Sequence, residues 1–156
     1  GMENISKYFS IRYLFIIIIP FLAYMSFWMF KNHPYQFVYF NKFAEKKIAE
    51  KFELDYWGVS NKNTLSYISE IDNRNEIKIF INSVSPYEFS ALLLDTENRD
   101  RLKFTNDLDE ANYVVTNHYY QKGNPIIINN KLKKDFNLIK EIKVDNVPIN
   151  SIYRIN

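Results

Sequence analysis

The densest chemistry in this sequence lies at Asp55-Tyr56-Trp57, a carboxylate followed by two large aromatic rings, with Gly58 directly after them. Aromatic faces stack on pyranose rings while a carboxylate accepts hydrogen bonds from their hydroxyls, so this trio has the makings of a sugar contact. The plainer reading, and the preferred one, is packing: Tyr56 and Trp57 fill the gap between an amphipathic helix and a sheet. A second polar and aromatic stretch, residues 31–40, carries His33, Pro34, Tyr35, Phe37, Tyr39 and Phe40, with Asn41 following.

Other chemistries find little support. The two histidines, His33 and His118, are isolated from each other, and no cysteine exists to supply a thiolate, so a zinc centre is not expected. Asp107, Asp109 and Glu110 cluster, but acids at a helix start explain them without a metal. The junction after Ile81 reads Asn82-Ser83-Val84-Ser85, which is no glycine-rich phosphate loop. A net charge of +2 lacks the electrostatic footprint of a nucleic-acid binder. No acid, base and nucleophile converge in the sequence, so no catalytic residue and no cofactor are expected.

The elements that must position these residues begin with an uncharged run at residues 13–30, YLFIIIIPFLAYMSFWMF. As a helix it reaches roughly 27 Å, close to the ~30 Å hydrocarbon thickness of a bilayer. It is too long for the core of a signal peptide and no small-x-small cleavage site follows it. Trp28 and Lys31 at one end, with Tyr8, Arg12 and Tyr13 at the other, resemble interface markers. Residues 1–32 therefore read as a membrane anchor and residues 33–156 as one water-soluble domain. The composition, 47% hydrophobic and 17% aromatic, suits a real core. More positive charge follows the run (Lys31, Lys42, Lys46, Lys47) than precedes it (Lys7, Arg12), a count that would put the larger domain in the cytoplasm but does not by itself settle the side.

Beyond the anchor, Pro34 disfavours helix at His33. Asn41 caps a basic amphipathic helix at 42–52, with Phe40, Phe43, Ala44, Ile48 and Phe52 on one face. That helix either lies in the headgroup layer or packs on its own domain. Gly58 supplies a turn and Ser60 caps a helix at 61–71. Alternation predicts a strand at 76–82. Ser85-Pro86-Tyr87-Glu88 has the form of a capping box opening a helix that runs through Leu94. A short strand at 101–105 and one helical turn at 107–110 come next. Then follows a continuous apolar strand at 112–117, of the kind buried on both faces. Residues 126–137 read as an irregular or helical passage. Strands at 138–145 and 148–155 form a hairpin around Asn146-Val147, with Pro148 at a strand start or edge. The fold class is α/β: a transmembrane helix, then a small three-layer-like domain with a mostly parallel sheet and a C-terminal β-hairpin.

Three stretches are familiar in combination: His33-Pro34-Tyr35-Gln36-Phe37-Val38-Tyr39-Phe40-Asn41, Phe52-Glu53-Leu54-Asp55-Tyr56-Trp57-Gly58-Val59-Ser60, and Ala111-Asn112-Tyr113-Val114-Val115-Thr116-Asn117. With Glu141-Ile142-Lys143-Val144-Asp145 and Ile152-Tyr153-Arg154, the chain resembles the C-terminal part of bacterial polytopic membrane glycosyltransferases. These are the enzymes similar to dolichyl-phosphate-mannose–protein mannosyltransferases and aminoarabinose transferases. Phe37 stands where that pattern leads one to expect tyrosine, and Asn146 where one expects a turn glycine.

The resemblance implies a domain on the extracytoplasmic face, periplasmic or extracellular, beside a polyprenyl-phosphate-linked sugar. It carries over no catalytic residue, because that family's catalytic acid lies in an early loop that this chain does not contain. As a whole protein the chain would be a non-catalytic remnant or subunit; as a piece of a longer one, an accessory domain. The residues expected to meet sugar or carrier are His33, Tyr35, Tyr39, Asn41, Asp55, Tyr56 and Trp57, with no metal ligand among them. Expected partners are the lipid bilayer, the lipid-linked sugar and a membrane protein, and not nucleic acid. The alternative expectation is a single-pass anchored interaction module without enzymatic activity, docking through the 42–52 helix or an exposed sheet edge.

Overall fold

The computed structural model describes residues 11–38, 54–119 and 136–155. The chain divides into two compact units, Gly1–Phe37 and Val38–Asn156. The 42–52 helix lies outside the described residues, as do residues 126–135 of the irregular or helical passage expected at 126–137; its last two residues, Phe136 and Asn137, are instead the start of a strand.

In the first unit, helix α1 (Ile11–Lys31) contains Pro20, which removes one intrahelical hydrogen bond. The residues from Tyr13 to Lys31 are long and apolar enough to cross a membrane, and almost none of that stretch is buried. Ile16, Ile17, Ile19, Phe21 and Leu22 all stand exposed, as a lipid-facing surface requires. Helix α1 stops where Asn32 folds its side-chain amide back to the Trp28 carbonyl at 3.0 Å. Lys31, in the last turn, complements the helix dipole. The His33-Pro34 bond is cis, and a single 3-10 turn (Gln36–Val38) follows.

The second unit is an α/β fold. Helix α2 (Asn61–Ile71) is followed by β1 (Ile77–Ile81), the short helices α3 (Tyr87–Ala91) and α4 (Thr96–Arg101), β2 (Leu102–Thr105) and β3 (Tyr113–Thr116). Strands β4 (Phe136–Val144) and β5 (Val147–Ile155) form the C-terminal hairpin. The sheet order is β2-β1-β3-β5-β4. It is parallel from β2 through β3 and antiparallel from β3 through β4, hence mixed across its width.

The packing follows from the pattern of apolar residues. Helix α2 places Leu65 and Ile68 inward, and the alternation of β1 places Ile77 and Ile79 on the same face. Tyr87 and Ala91 of α3, Leu102, Tyr113, Val115 and Ile152 complete one core. Each such aliphatic side chain contributes about 1.5–3 kcal/mol on leaving water. Strand β3 is buried along its whole length, on both faces. Asn112 ties its start to both neighbours: its backbone N–H donates to the Lys78 carbonyl at 2.8 Å, its carbonyl accepts from Ile155 N at 3.0 Å. The Asn112 side chain also accepts from Lys78 N at 2.9 Å.

Two local expectations need correction. Ser85 does not cap α3: Pro86 occupies the cap position, no side-chain cap bond forms, and the helix ends at Ala91 rather than Leu94. Ser85 Oγ instead accepts from Asn61 Nδ2 at 2.7 Å. Ser60 stands at the start of α2 as expected, yet its hydroxyl makes no cap bond because it donates to Asp55. Helix α4 was not anticipated. Asp95 caps it, accepting from Asn98 N at 2.9 Å.

Candidate functional site

Three loops meet at the carboxyl ends of the parallel strands, the end of an open α/β sheet where ligands ordinarily bind. They are the 54–60 loop leading into α2, residues 82–86 after β1, and residues 117–119 after β3. Val84 N donates to the Tyr119 carbonyl at 2.9 Å, and Asn117 Nδ2 donates to the Asp55 carbonyl at 2.8 Å, joining all three.

The 54–60 loop is shaped by Asp55, whose exposure is 0%. One carboxylate oxygen accepts from Val59 N at 2.8 Å; the other accepts from Ser60 N at 3.0 Å and from the Ser60 hydroxyl. Burial pushes the Asp55 carboxyl up, against the hydrogen bonds from Ser60 and Val59 that pull it down. Gly58 turns the chain at a φ of +65°, a conformation that disfavours any side chain. A Cβ there would run into Ser85 Oγ and Asn61 Nδ2.

Tied down in this way, the loop sends its two rings outward. Trp57 is 78% exposed and Tyr56 50%. They meet edge to face, with centroids 5.0 Å apart and planes at 82°. Tyr119 also meets Tyr56, its centroid 5.1 Å away. The result is an aromatic ledge on a hydrogen-bonded base.

Below the ledge runs a buried polar network. Asn150 Nδ2 donates to Ser60 Oγ at 2.8 Å and to the Tyr87 hydroxyl at 2.9 Å. The Ser83 hydroxyl donates to Asn117 Oδ1 and lies 3.0 Å from Ser85 N, which donates to it. His118, at a φ of 59°, meets Ser151 Oγ through Nε2 at 3.0 Å. Burial lowers its imidazole below the ordinary value of 6.5, so it is neutral at physiological pH. Ser151 is wholly buried, so this pair fixes β5 against the end of β3 and offers no accessible nucleophile. Among the described residues no three His, Asp or Glu side chains gather as a metal site would require.

The structure thus sorts the residues singled out from the sequence. Asp55, Tyr56 and Trp57 stand together, but with divided duties. The Asp55 carboxylate is turned into the protein and engaged by its own loop, so it does not face a sugar hydroxyl. Most of the Trp57 surface is open, and the 42–52 helix it was expected to pack against lies outside the described residues. His33 and Tyr35 belong to the other unit, where His33 Nδ1 lies 2.7 Å from Gln36 Nε2 and Tyr35 is buried. Tyr39 and Asn41 lie outside the described residues. Sequence reasoning missed Tyr119, Asn117 and Ser83. Their signal was positional: each lies within three residues of the carboxyl end of a strand that the pattern had already located.

The chain matches no family model, and comparison with curated proteins and with solved structures finds no match.

Proposed function

We propose that this chain is a membrane-anchored, non-catalytic domain that holds a sugar on the Tyr56–Trp57 ledge. In this reading it belongs to, or derives from, a membrane glycosyltransferase that uses a polyprenyl-phosphate-linked donor. The observation that carries the reading is the open indole of Trp57, held beside Tyr56 by the buried Asp55 loop. A pyranose laid on such a ledge covers apolar surface that otherwise faces water. The apolar stretch of α1, which suits a membrane span, supports a lipid-linked sugar as the ligand. The resemblance of the 33–41 and 52–60 stretches supports placing the domain on the extracytoplasmic side.

The test uses the full chain in nanodiscs and a short-chain prenyl-phosphate sugar, with binding followed by tryptophan fluorescence and by NMR of the sugar. Tyr56→Ala with Trp57→Ala weakens binding about tenfold, equivalent to roughly 1.4 kcal/mol. Equal binding by a folded double variant would remove the sugar contact from the ledge.

A second reading, an anchored interaction module without enzymatic activity, draws support from a different surface. Phe89, Leu92 and Leu93 are large, apolar and open, well away in sequence from the aromatic ledge.

A further inference from the structure

Helix α3 and the turn after it carry the most exposed apolar cluster of the second unit outside the aromatic ledge. Tyr87 and Ala91, one helical turn apart, point into the core. At 100° per residue the opposite face then falls to Phe89, Leu92 and Leu93. These three are 70%, 62% and 65% exposed. The helical winding continues past Ala91, since Leu92 N, Leu93 N and Leu94 N donate to the carbonyls of Phe89, Ser90 and Ala91. The three side chains therefore form one contiguous face rather than scattered exposed residues. Burying them on docking would remove a contiguous apolar surface from water.

The charges that flank this face along the chain have one sign. Between Ser83 and Asn98 the sequence holds Glu88, Asp95 and Glu97 and no lysine or arginine. All three acids are exposed. Glu88 and Glu97 have no cationic partner among the described residues, and the hydrogen bonds from Asn98 hold Asp95 below the usual carboxylate value, so it is ionised. Arg99 is engaged by Asp100 at 3.3 Å, and Arg101 by the carbonyls of Arg74 and Ser69. An apolar face rimmed by unneutralised carboxylates repels anionic headgroups and attracts a cationic apolar surface.

We propose that the Phe89–Leu92–Leu93 face docks a cationic amphipathic helix of a protein partner. The three side chains seat the partner's apolar stripe, as anchors in a helix-binding surface do, and Glu88, Asp95 and Glu97 meet the lysines or arginines flanking it. The face is independent of the sugar reading: it shares no residue with Tyr56, Trp57 or Tyr119.

The experiment uses the full chain in zwitterionic-lipid nanodiscs, with empty nanodiscs as the blank. The probe is a fluorescent Leu/Lys peptide patterned at i, i+3, i+4 and i+7. A Leu/Glu peptide of the same pattern and a Leu/Lys peptide of scrambled order serve as comparisons. The patterned Leu/Lys peptide binds; the other two bind at least about tenfold more weakly. Leu92→Ser with Leu93→Ser weakens binding about tenfold, and so does Glu88→Lys with Glu97→Lys, while added salt erodes the wild-type affinity. Amide exchange protection in β1 and β3 stays unchanged in both variants, because every altered side chain is exposed. Equal affinity for the Leu/Lys and Leu/Glu peptides, or unchanged binding by both variants, overturns the proposal. Concentration-dependent self-association lost in Leu92→Ser/Leu93→Ser assigns the face to a second copy and overturns it as well. So does adsorption to anionic vesicles through the same leucines.

Discussion

At the scale of single residues, Gly58 and Asp55 decide whether the aromatic ledge exists. Gly58 combines a left-handed backbone with a site whose only free volume is already taken by Ser85 and Asn61. Gly58→Ala therefore loses about 1 kcal/mol from backbone strain and about 1–3 kcal/mol more from overpacking. Chemical denaturation in detergent measures this, and a loss below about 1 kcal/mol would mean that the loop relaxes freely. The residue scale is also where sequence reasoning was weakest. Asp55 next to two aromatics leaves a sugar contact and a packing role both open, whereas its own partners lie four and five residues on, at Val59 and Ser60. The spacing of Asp55, Gly58 and Ser60 held that information as a loop motif rather than as a ligand motif. Ser85 misled for the opposite reason. Its local setting is that of a cap, and the partner that claims it, Asn61, is distant in sequence.

At the scale of elements, the turn from α2 into β1 shows how side chains fix a register. Asp72 accepts from Arg74 N at 3.0 Å, from the Arg74 guanidinium, and from the Tyr113 hydroxyl at 2.9 Å. The Arg101 guanidinium, at the end of α4, donates to the carbonyls of Arg74, Ser69 and Asp72, so that α2, α4 and β3 share one knot. Hydrogen bonds from Arg74 hold the Asp72 carboxyl well below its ordinary value of 3.8. Its contribution is therefore whole above about pH 4 and is lost as pH falls further, toward the lower folded value. Asp72→Asn destabilises the domain by about 1–3 kcal/mol at neutral pH, near the bottom of that range because Arg74 is half open to water. The gap between wild type and variant narrows below about pH 4. A gap that stays constant on acidification would detach Asp72 from this role. Elements with a buried stripe were legible in advance: α2 from Leu65 and Ile68, β1 from its alternation, β3 from its unbroken apolar run. Helix α4 was not, because it buries none of its residues and so leaves no periodic trace. Only the cap at Asp95 marked it.

At the scale of the whole molecule, an apolar helix and an α/β unit with its own core are different solutions to the problem of hiding hydrocarbon. The second unit does it with one cluster running from Leu65 to Ile152; α1 leaves its isoleucines and phenylalanines open. Lipid is the solvent that such a surface fits. Alkaline carbonate extraction leaves the wild-type chain in the membrane pellet. Ile17→Lys with Ile19→Lys, each adding about 2.5–3.5 kcal/mol against insertion, moves it to the supernatant. A wild-type chain extracted by carbonate would refute the anchor. The α/β class and the closing hairpin were readable because both rest on periodicity, which is local. The place of the hairpin in the sheet was not, because it depends on where β5 inserts. That choice is made by contacts between Tyr113 and Arg154 or Val115 and Ile152, far apart in the chain.

The insertion of β5 between β3 and β4 has a consequence for the order of assembly. The strand that bridges the two halves follows the other four described strands in sequence, so β1, β2 and β3 leave the ribosome with one flank still unpaired. Until Val147–Ile155 emerges, the buried amides of Tyr113–Thr116 have no neighbour on that side. Closure of this sheet is therefore a late event, and a chain shortened within β5 is left with its central strand open to the wrong partners.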